Sequence, residues 1–340
     1  MQWFAIACTG APQHAQVPPH SQNGLLMNRR EFLALSSAIL AASRMQAATA
    51  GADIKRLGVQ FFSIPKLLEK DFRRAVALLA GLGYSEVEFY GPYAFSAPEA
   101  VAHWDSITPQ LGFSGSGFFG LSAQQARAIL TEHRMTTPSM HTDLLTLQTR
   151  MGELGEAAHV LGATYVTLPS IPEEKRKSLD DYKRMADAFN AIGEQARSSG
   201  LKFAYHNHGY GLQEMQGQIP LKVILQRTDP GLVFLEMDIY WTTAGGADPV
   251  AYLKEYPSRY KMLHMKDMKE RRRFKGDGGD PGQWMELFPY MTAVGDGVID
   301  IKGIVAQAHR SGVEHYFVEQ DMVTDPRVAL RRSADYLLKL

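Results

Sequence analysis

The feature that most constrains the fold is an alternation that runs from residue 55 to the C-terminus. Short β-branched and aromatic runs take turns with longer amphipathic stretches. The strand-like runs are Leu57–Ser63, Glu86–Tyr90, Phe113–Phe118, Thr137–Thr142, Ala163–Leu168, Lys202–His206, Val233–Asp238, Lys261–His264 and Tyr316–Glu319. Between them, apolar residues recur at helical spacing. Phe72, Val76, Leu79 and Ala80 share one face, as do Met151, Leu154, Ala158 and Leu161, and Met185, Phe189, Ile192 and Ala196. Gly81-Leu82-Gly83, Gly162 and Gly200 stand where a helix should stop just before a strand.

Strand, helix and strand in repetition build a parallel sheet, because parallel neighbours need a crossover and a helix usually supplies it. About eight such units in residues 51–340 match a closed (β/α)8 TIM barrel, whose usual size is about 250 residues. A doubly wound sheet is the competitor, but no G-x-G-x-x-G follows the first strand. The run Phe113-Ser114-Gly115-Ser116-Gly117-Phe118 is one strand candidate too many, and an inserted loop is the other reading of it. No linker or low-complexity segment divides residues 51–340, so a single domain is expected there.

Residues 1–50 read as an address. Arg29-Arg30 precedes the mild apolar run Ala34 to Ala42, and the small residues Ala48-Thr49-Ala50 follow. That order is the pattern of a twin-arginine export signal, with Met27 as an alternative start and cleavage near Ala50. A periplasmic protein is expected, with no membrane span in its mature part. The only cysteine, Cys8, would leave with the leader. With 36 basic and 36 acidic residues, the chain lacks the electrostatic footprint of a nucleic-acid binder. A homo-oligomer is allowed by the sequence and not required by it.

The unusual polar residues cluster where barrel enzymes carry their function, at the C-terminal ends of strands. Tyr205 leads into His206-Asn207-His208, Leu235 into Glu236-Met237-Asp238, Leu263 into His264-Met265-Lys266, and Val318 into Glu319-Gln320-Asp321. His141 and Glu88 come from earlier strands. A period of two puts His206 with His208, Glu236 with Asp238, and His264 with Lys266 on one side of each strand. A lone strand-end histidine is more often a satisfied core residue than a ligand, and Asp238 or Glu319 alone could cap the next helix. Imidazoles and carboxylates arriving from four successive strands instead suggest a cation site. Mixed N/O donors without sulfur suit one divalent ion: Mn, Zn, Co, Fe or Mg. Phe61, Tyr90, Tyr205, Tyr240, Trp241 and Trp284 are candidate sugar-stacking aromatics.

The blocks Tyr205-His206-Asn207-His208, Leu235 to Trp241, Leu263 to Met268, Gly295-Asp296-Gly297-Val298-Ile299-Asp300 and Phe317 to Asp321 resemble the xylose isomerase-like TIM barrels. These are commonly called sugar phosphate isomerase/epimerases, and the resemblance extends over residues 55–340. It implies one divalent ion held by Asp238, His264 and Glu319, with His206 where the sugar epimerases have Glu and His208 as the other candidate. Many relatives continue the His-Asn-His block with an acidic residue three positions on. Here Gly211 stands there, and Glu214 is the nearest carboxylate.

The resemblance further implies proton abstraction beside a carbonyl of a small carbohydrate. Glu319 would serve as ligand and base, Lys266 would face the developing oxyanion, and Glu236 would be a reserve catalytic carboxylate. His141, His208, Glu88, Tyr240 and Trp241 are the expected substrate contacts. A metal-dependent isomerase or epimerase is the leading expectation. A keto-sugar dehydratase, a keto-glycoside lyase and a catalytically silent sugar-binding barrel are the alternatives. Abasic-DNA cleavage, known from a related barrel, is opposed by the neutral charge and by Trp241, where those enzymes carry histidine.

Overall fold

The computed structural model describes residues 54–340, so the expected export signal in residues 1–50 lies outside the described residues. Eight parallel strands close into a barrel. They are β1 (Leu57–Gln60), β2 (Glu86–Tyr90), β3 (Thr136–His141), β4 (Tyr165–Leu168), β5 (Lys202–Asn207), β6 (Val233–Asp238), β7 (Tyr260–Met265) and β8 (His315–Val318). Each pairs with its sequence neighbours, and β1 closes the ring on β8 through Leu57–Tyr316, Gly58–Phe317 and Val59–Val318. Asp267–Met268 and Met291–Thr292 form a small antiparallel ribbon between β7 and β8.

The extra candidate at Phe113–Phe118 is a loop joining the helices Pro98–Leu111 and Ala123–Glu132. Its backbone bonds elsewhere than to a ladder. Ser114 N donates to Glu69 Oε1 at 2.7 Å, and Gly117 N donates to the Tyr90 carbonyl at 2.9 Å. The first run is also shorter than expected. Gln60 ends β1, and its side chain accepts from Phe62 N, turning Phe61–Ser63 into one 3-10 turn.

The helical stripes pack as their spacing requires. Along Leu179–Ser198 the residues Met185, Phe189, Ile192 and Ala196 are all buried. The Phe189 ring sits 5.3 Å from Phe203 and 5.1 Å from Tyr205, which face out of the barrel. Burying a side chain such as Met185, Phe189 or Ile192 contributes about 1.5–3 kcal/mol. Gly162 and Gly200 end their helices at φ of 76° and 71°, the left-handed backbone that glycine takes without strain.

Inside the barrel, Tyr165, Ala204, Met262 and Phe317 form a separate apolar plug, joined by the half-buried Phe234. Every polar group above is therefore floored by hydrocarbon. Among the described residues no helix is long and apolar enough to cross a membrane.

Candidate active site at the barrel mouth

Two residues beyond the plug on each strand, the inward row turns polar. Ala204 is followed by His206, Phe234 by Glu236, Met262 by His264 and Phe317 by Glu319. One further step of two brings His208, Asp238, Lys266 and Asp321. Register sets His206 level with Glu236 but steps by two residues at the next strand, so His264 stands level with Asp238.

The side chains resolve into two sets that share His264. Asp238, His264 and Glu319 bring one donor atom each within 4.8 Å of one another. His264 Nδ1 lies 2.7 Å from Glu319 Oε2. Lys266 Nζ stands among three carboxylates, 2.6 Å from Glu319, 2.7 Å from Asp321 and 3.1 Å from Asp238. This set fits a divalent ion by its donor chemistry, one imidazole nitrogen with two carboxylate oxygens. Asp238 Oδ2 supports the fit: it is fully buried and makes no hydrogen bond, although Lys266 is near. Asp238 Oδ1 is committed to capping the next helix, accepting from Trp241 N at 2.8 Å.

The second set is deeper and contains His141, His206, Glu236 and His264. Three imidazoles aim at Glu236 Oε2, with His141 Nε2 at 2.6 Å, His206 Nδ1 at 2.9 Å and His264 Nε2 at 3.2 Å. Glu88 joins them, 2.6 Å from His264 Nε2 and 3.1 Å from His141 Nε2. Of the residues expected to hold an ion, three therefore meet at the mouth. His206 belongs to the deeper set and reaches Asp238 Oδ2 only at 3.8 Å.

Burial by itself would raise these carboxyls and lower these imidazoles, and local charge decides the outcome. Against burial, His141 and His264 hold Glu88 well below the usual carboxylate range. Against burial, Glu88 and Glu236 push His141 up to about 9. Lys266 and His264 likewise hold Glu319 low despite its burial. Burial wins at Asp238, which is raised even beside Lys266. Burial together with Glu319 pushes Asp321 up to about 7. Burial and the Lys266 charge push His208 down to about 3, so it is a neutral imidazole.

The mouth is roofed by aromatic rings from the loop after β7. Trp284 stacks on His208 at 4.7 Å, and Phe274 stacks on Trp241 at 5.5 Å. Gly209 is needed for this closure, because a Cβ there would collide with the Phe274 ring. Lys266 Nζ lies 5.5 Å from the Trp241 ring centroid, and His208 Nδ1 is buried without a hydrogen bond.

Other expected contacts are placed differently. Glu88 is fully buried beneath the mouth. Tyr240 donates its hydroxyl to the Leu287 carbonyl at 2.6 Å. Phe61 and Tyr205 face outward into the helix-side core, because their positions alternate with the inward row. Gly211 sits at φ 78°, where an acidic side chain would be strained, and Glu214 is exposed. The basic run after β7 is on the surface, with Arg272 paired to Glu270 and Lys275 to Glu286.

Three participants have only weak sequence signals. Gln60 donates to Glu88 Oε2 at 2.8 Å from the end of β1. Asp321 continues the inward row of β8 by one step and could have been read from it. Asp267 accepts from the backbone N–H of Met268, Gly295, Gly297 and Ile299. Its carboxylate thus ties the Gly295-Asp296-Gly297 turn to the end of β7.

Comparison with known proteins agrees with this architecture. Residues 76–340 match the profile of the xylose isomerase-like TIM barrel family. The chain belongs to that family. Inosose dehydratase of Clostridium tetani is 29% identical over 188 residues, which are 53% of this chain and 61% of that protein. The inosose dehydratase of Lacticaseibacillus casei is 29% identical over 150 residues, 42% of this chain and 48% of that one. The chain spans less than two thirds of the length of these curated relatives. Among solved structures, a sugar phosphate isomerase/epimerase from Parabacteroides distasonis superposes with a TM-score of 0.66 at 22% identity, covering 86% of this chain and 95% of that one. The zinc-bound IOLI protein superposes with a TM-score of 0.57 at 14% identity, covering 84% and 95%. At these identities the structural likenesses speak for the xylose isomerase-like fold alone.

Proposed function

We propose that this xylose isomerase-like barrel is a divalent-metal-dependent enzyme that takes a proton from the carbon beside a carbonyl of a cyclic keto-polyol or keto-sugar and then expels water. The observation that carries the reading is the position of Glu319, whose Oε2 lies 2.7 Å from His264 Nδ1 and 2.6 Å from Lys266 Nζ. One carboxylate thus stands beside both the ion-holding imidazole and a buried ammonium. Asp238, His264 and Glu319 would hold the ion, which when bound supplies Lewis-acid polarisation of the substrate carbonyl.

The remaining work falls to the chain's own residues. Glu319, kept ionised by Lys266 and His264, takes the proton from carbon. Lys266 faces the oxygen on which negative charge grows, in a site where the hydrocarbon plug and the aromatic roof lower the local dielectric. The proton on Glu319 then leaves with the β-hydroxyl as water, so one carboxylate serves both halves and the net change is loss of H2O. His208, neutral and with a free Nδ1, can accept a substrate hydroxyl under the Trp284 ring.

Isomerisation, the leading expectation from sequence, shares the first step and differs only in where the proton returns. Dehydration is preferred because the curated relatives are named inosose dehydratases. The test incubates metal-loaded protein with keto-inositols and 3-keto-sugars in D2O. Loss of water by mass, with appearance of enone absorbance, supports elimination. Deuterium uptake with no loss of water would replace elimination by isomerisation, and neither event would overturn the enzymatic reading.

A further inference from the structure

The deeper polar set demands a role of its own. All of its members are at least nine-tenths buried, and it lies between the apolar plug and the mouth. Its N–O separations include 2.6, 2.6 and 2.9 Å, which are hydrogen-bond lengths. The set is thus held together by hydrogen bonds, and its hydrogen-bonded link to the mouth is His264, since His206 reaches Asp238 only at 3.8 Å.

We propose that Glu88 is the positioning residue that orients His264 as a metal ligand, with Gln60 orienting Glu88 in turn. This rests on the reading that the mouth set holds a divalent ion. The geometry runs in one line. Gln60 Nε2 donates to Glu88 Oε2 at 2.8 Å, and the same oxygen receives His264 Nε2 at 2.6 Å. The other imidazole nitrogen, Nδ1, faces Glu319 at the mouth. Both imidazole nitrogens face carboxylates, so the bond to Glu88 is what holds the proton on Nε2 once an ion takes Nδ1, and it fixes the plane of the ring.

A carboxylate behind a ligand histidine sets its tautomer and raises its basicity. Glu236 cannot fill this place alone. It is farther from His264 Nε2, at 3.2 Å, and its Oε2 already serves His141 and His206. Glu88 comes from β2, three strands from β7 around the ring, so the brace passes through the barrel interior. Glu88, expected from sequence as a substrate contact, is fully buried, and its Oε2 is engaged by Gln60, His264 and His141.

The test measures zinc affinity by competition with a chromophoric chelator, together with the visible spectrum of the cobalt-loaded protein. Glu88→Gln keeps an acceptor oxygen but loses the charge, whereas Glu88→Leu loses both. A carboxylate hydrogen-bonded to a ligand histidine is worth roughly 10–100-fold in metal affinity. The zinc Kd is expected to weaken about tenfold in Glu88→Gln and nearer a hundredfold in Glu88→Leu, by the same measure. The cobalt spectrum should change in both, and since Glu88→Gln removes a charge paired with His141 and His264, its metal-free melt is recorded to show that it folds. Gln60→Leu should give a smaller loss in the same direction.

Wild-type protein that binds zinc, with both Glu88 variants binding within twofold of it, overturns the inference alone. Wild-type protein that binds no divalent ion overturns the proposed function and the inference with it. If Glu88→Leu does not fold, the isosteric Glu88→Gln decides: an unshifted Kd and an unshifted cobalt spectrum overturn the proposal.

Discussion

His264 Nδ1 lies 2.7 Å from Glu319 Oε2, while the opposite nitrogen of the same ring lies 2.6 Å from Glu88 Oε2. One imidazole thus joins the mouth of the barrel to a buried network beneath it. His264 is the one residue that belongs to both buried polar sets.

Glu319→Gln separates binding from chemistry. The amide keeps the volume and one coordinating oxygen but cannot take a proton. Deuterium wash-in beside the substrate carbonyl should fall by a factor on the order of 10²–10⁴, the usual worth of a positioned base. The measurement is made on protein shown to retain metal. Wash-in at the wild-type rate would move the base role to His208 or Glu236.

Asp238→Ala and His264→Ala should each abolish most metal binding and activity. About one ion per chain is expected in the native protein, since one mouth set presents the open position that a catalytic ion needs. Elemental analysis after native purification gives the count. Asp238→Ala should also lose about 1 kcal/mol of stability, because it removes the cap on Trp241 N. A metal content unchanged in both variants would show that the ion sits elsewhere.

Lys266→Met should uncouple affinity from turnover. It removes a positive charge beside the ion's ligands, so metal affinity should hold or rise. Turnover should fall by roughly 10²–10³-fold, as for loss of one preorganised oxyanion partner. The metal-free variant should melt lower, since breaking a buried ion pair costs about 3–5 kcal/mol, and added metal should restore part of that loss. Weaker metal binding would contradict the charge argument.

Asp267→Ala should destabilise the fold by about 3 kcal/mol, because it strands backbone N–H groups at Met268, Gly295, Gly297 and Ile299. Asp267→Asn, which keeps an acceptor, should lose less. Thermal melts check both, and equal melting of Asp267→Ala and wild type would remove the clamp.

Export is proposed from Arg29-Arg30 and the small-residue end at Ala48-Thr49-Ala50. Replacing both arginines by lysine should leave the protein in the cytoplasmic fraction. Unchanged periplasmic recovery would count against a twin-arginine signal.

The barrel and the addresses of its polar residues were legible in the chain itself. Amphipathic spacing and alternation are local properties, and a period of two tells which strand-end residues share a side before any partner is known. Asp238, His264, Lys266 and Glu319 could be placed together on that ground. What the local pattern could not carry is which inward residues meet across the ring. Glu88 and His264 are 176 residues apart, and their contact depends on closure and on the relative height of eight strands. The same closure drew His206 toward Glu236 and His141, and it set the fully buried Glu88 against His264. Sequence alone determined the rows, because each row follows from one strand's pleat. Only the tertiary structure decided the layers, because a layer exists only when separate strands are brought to one level.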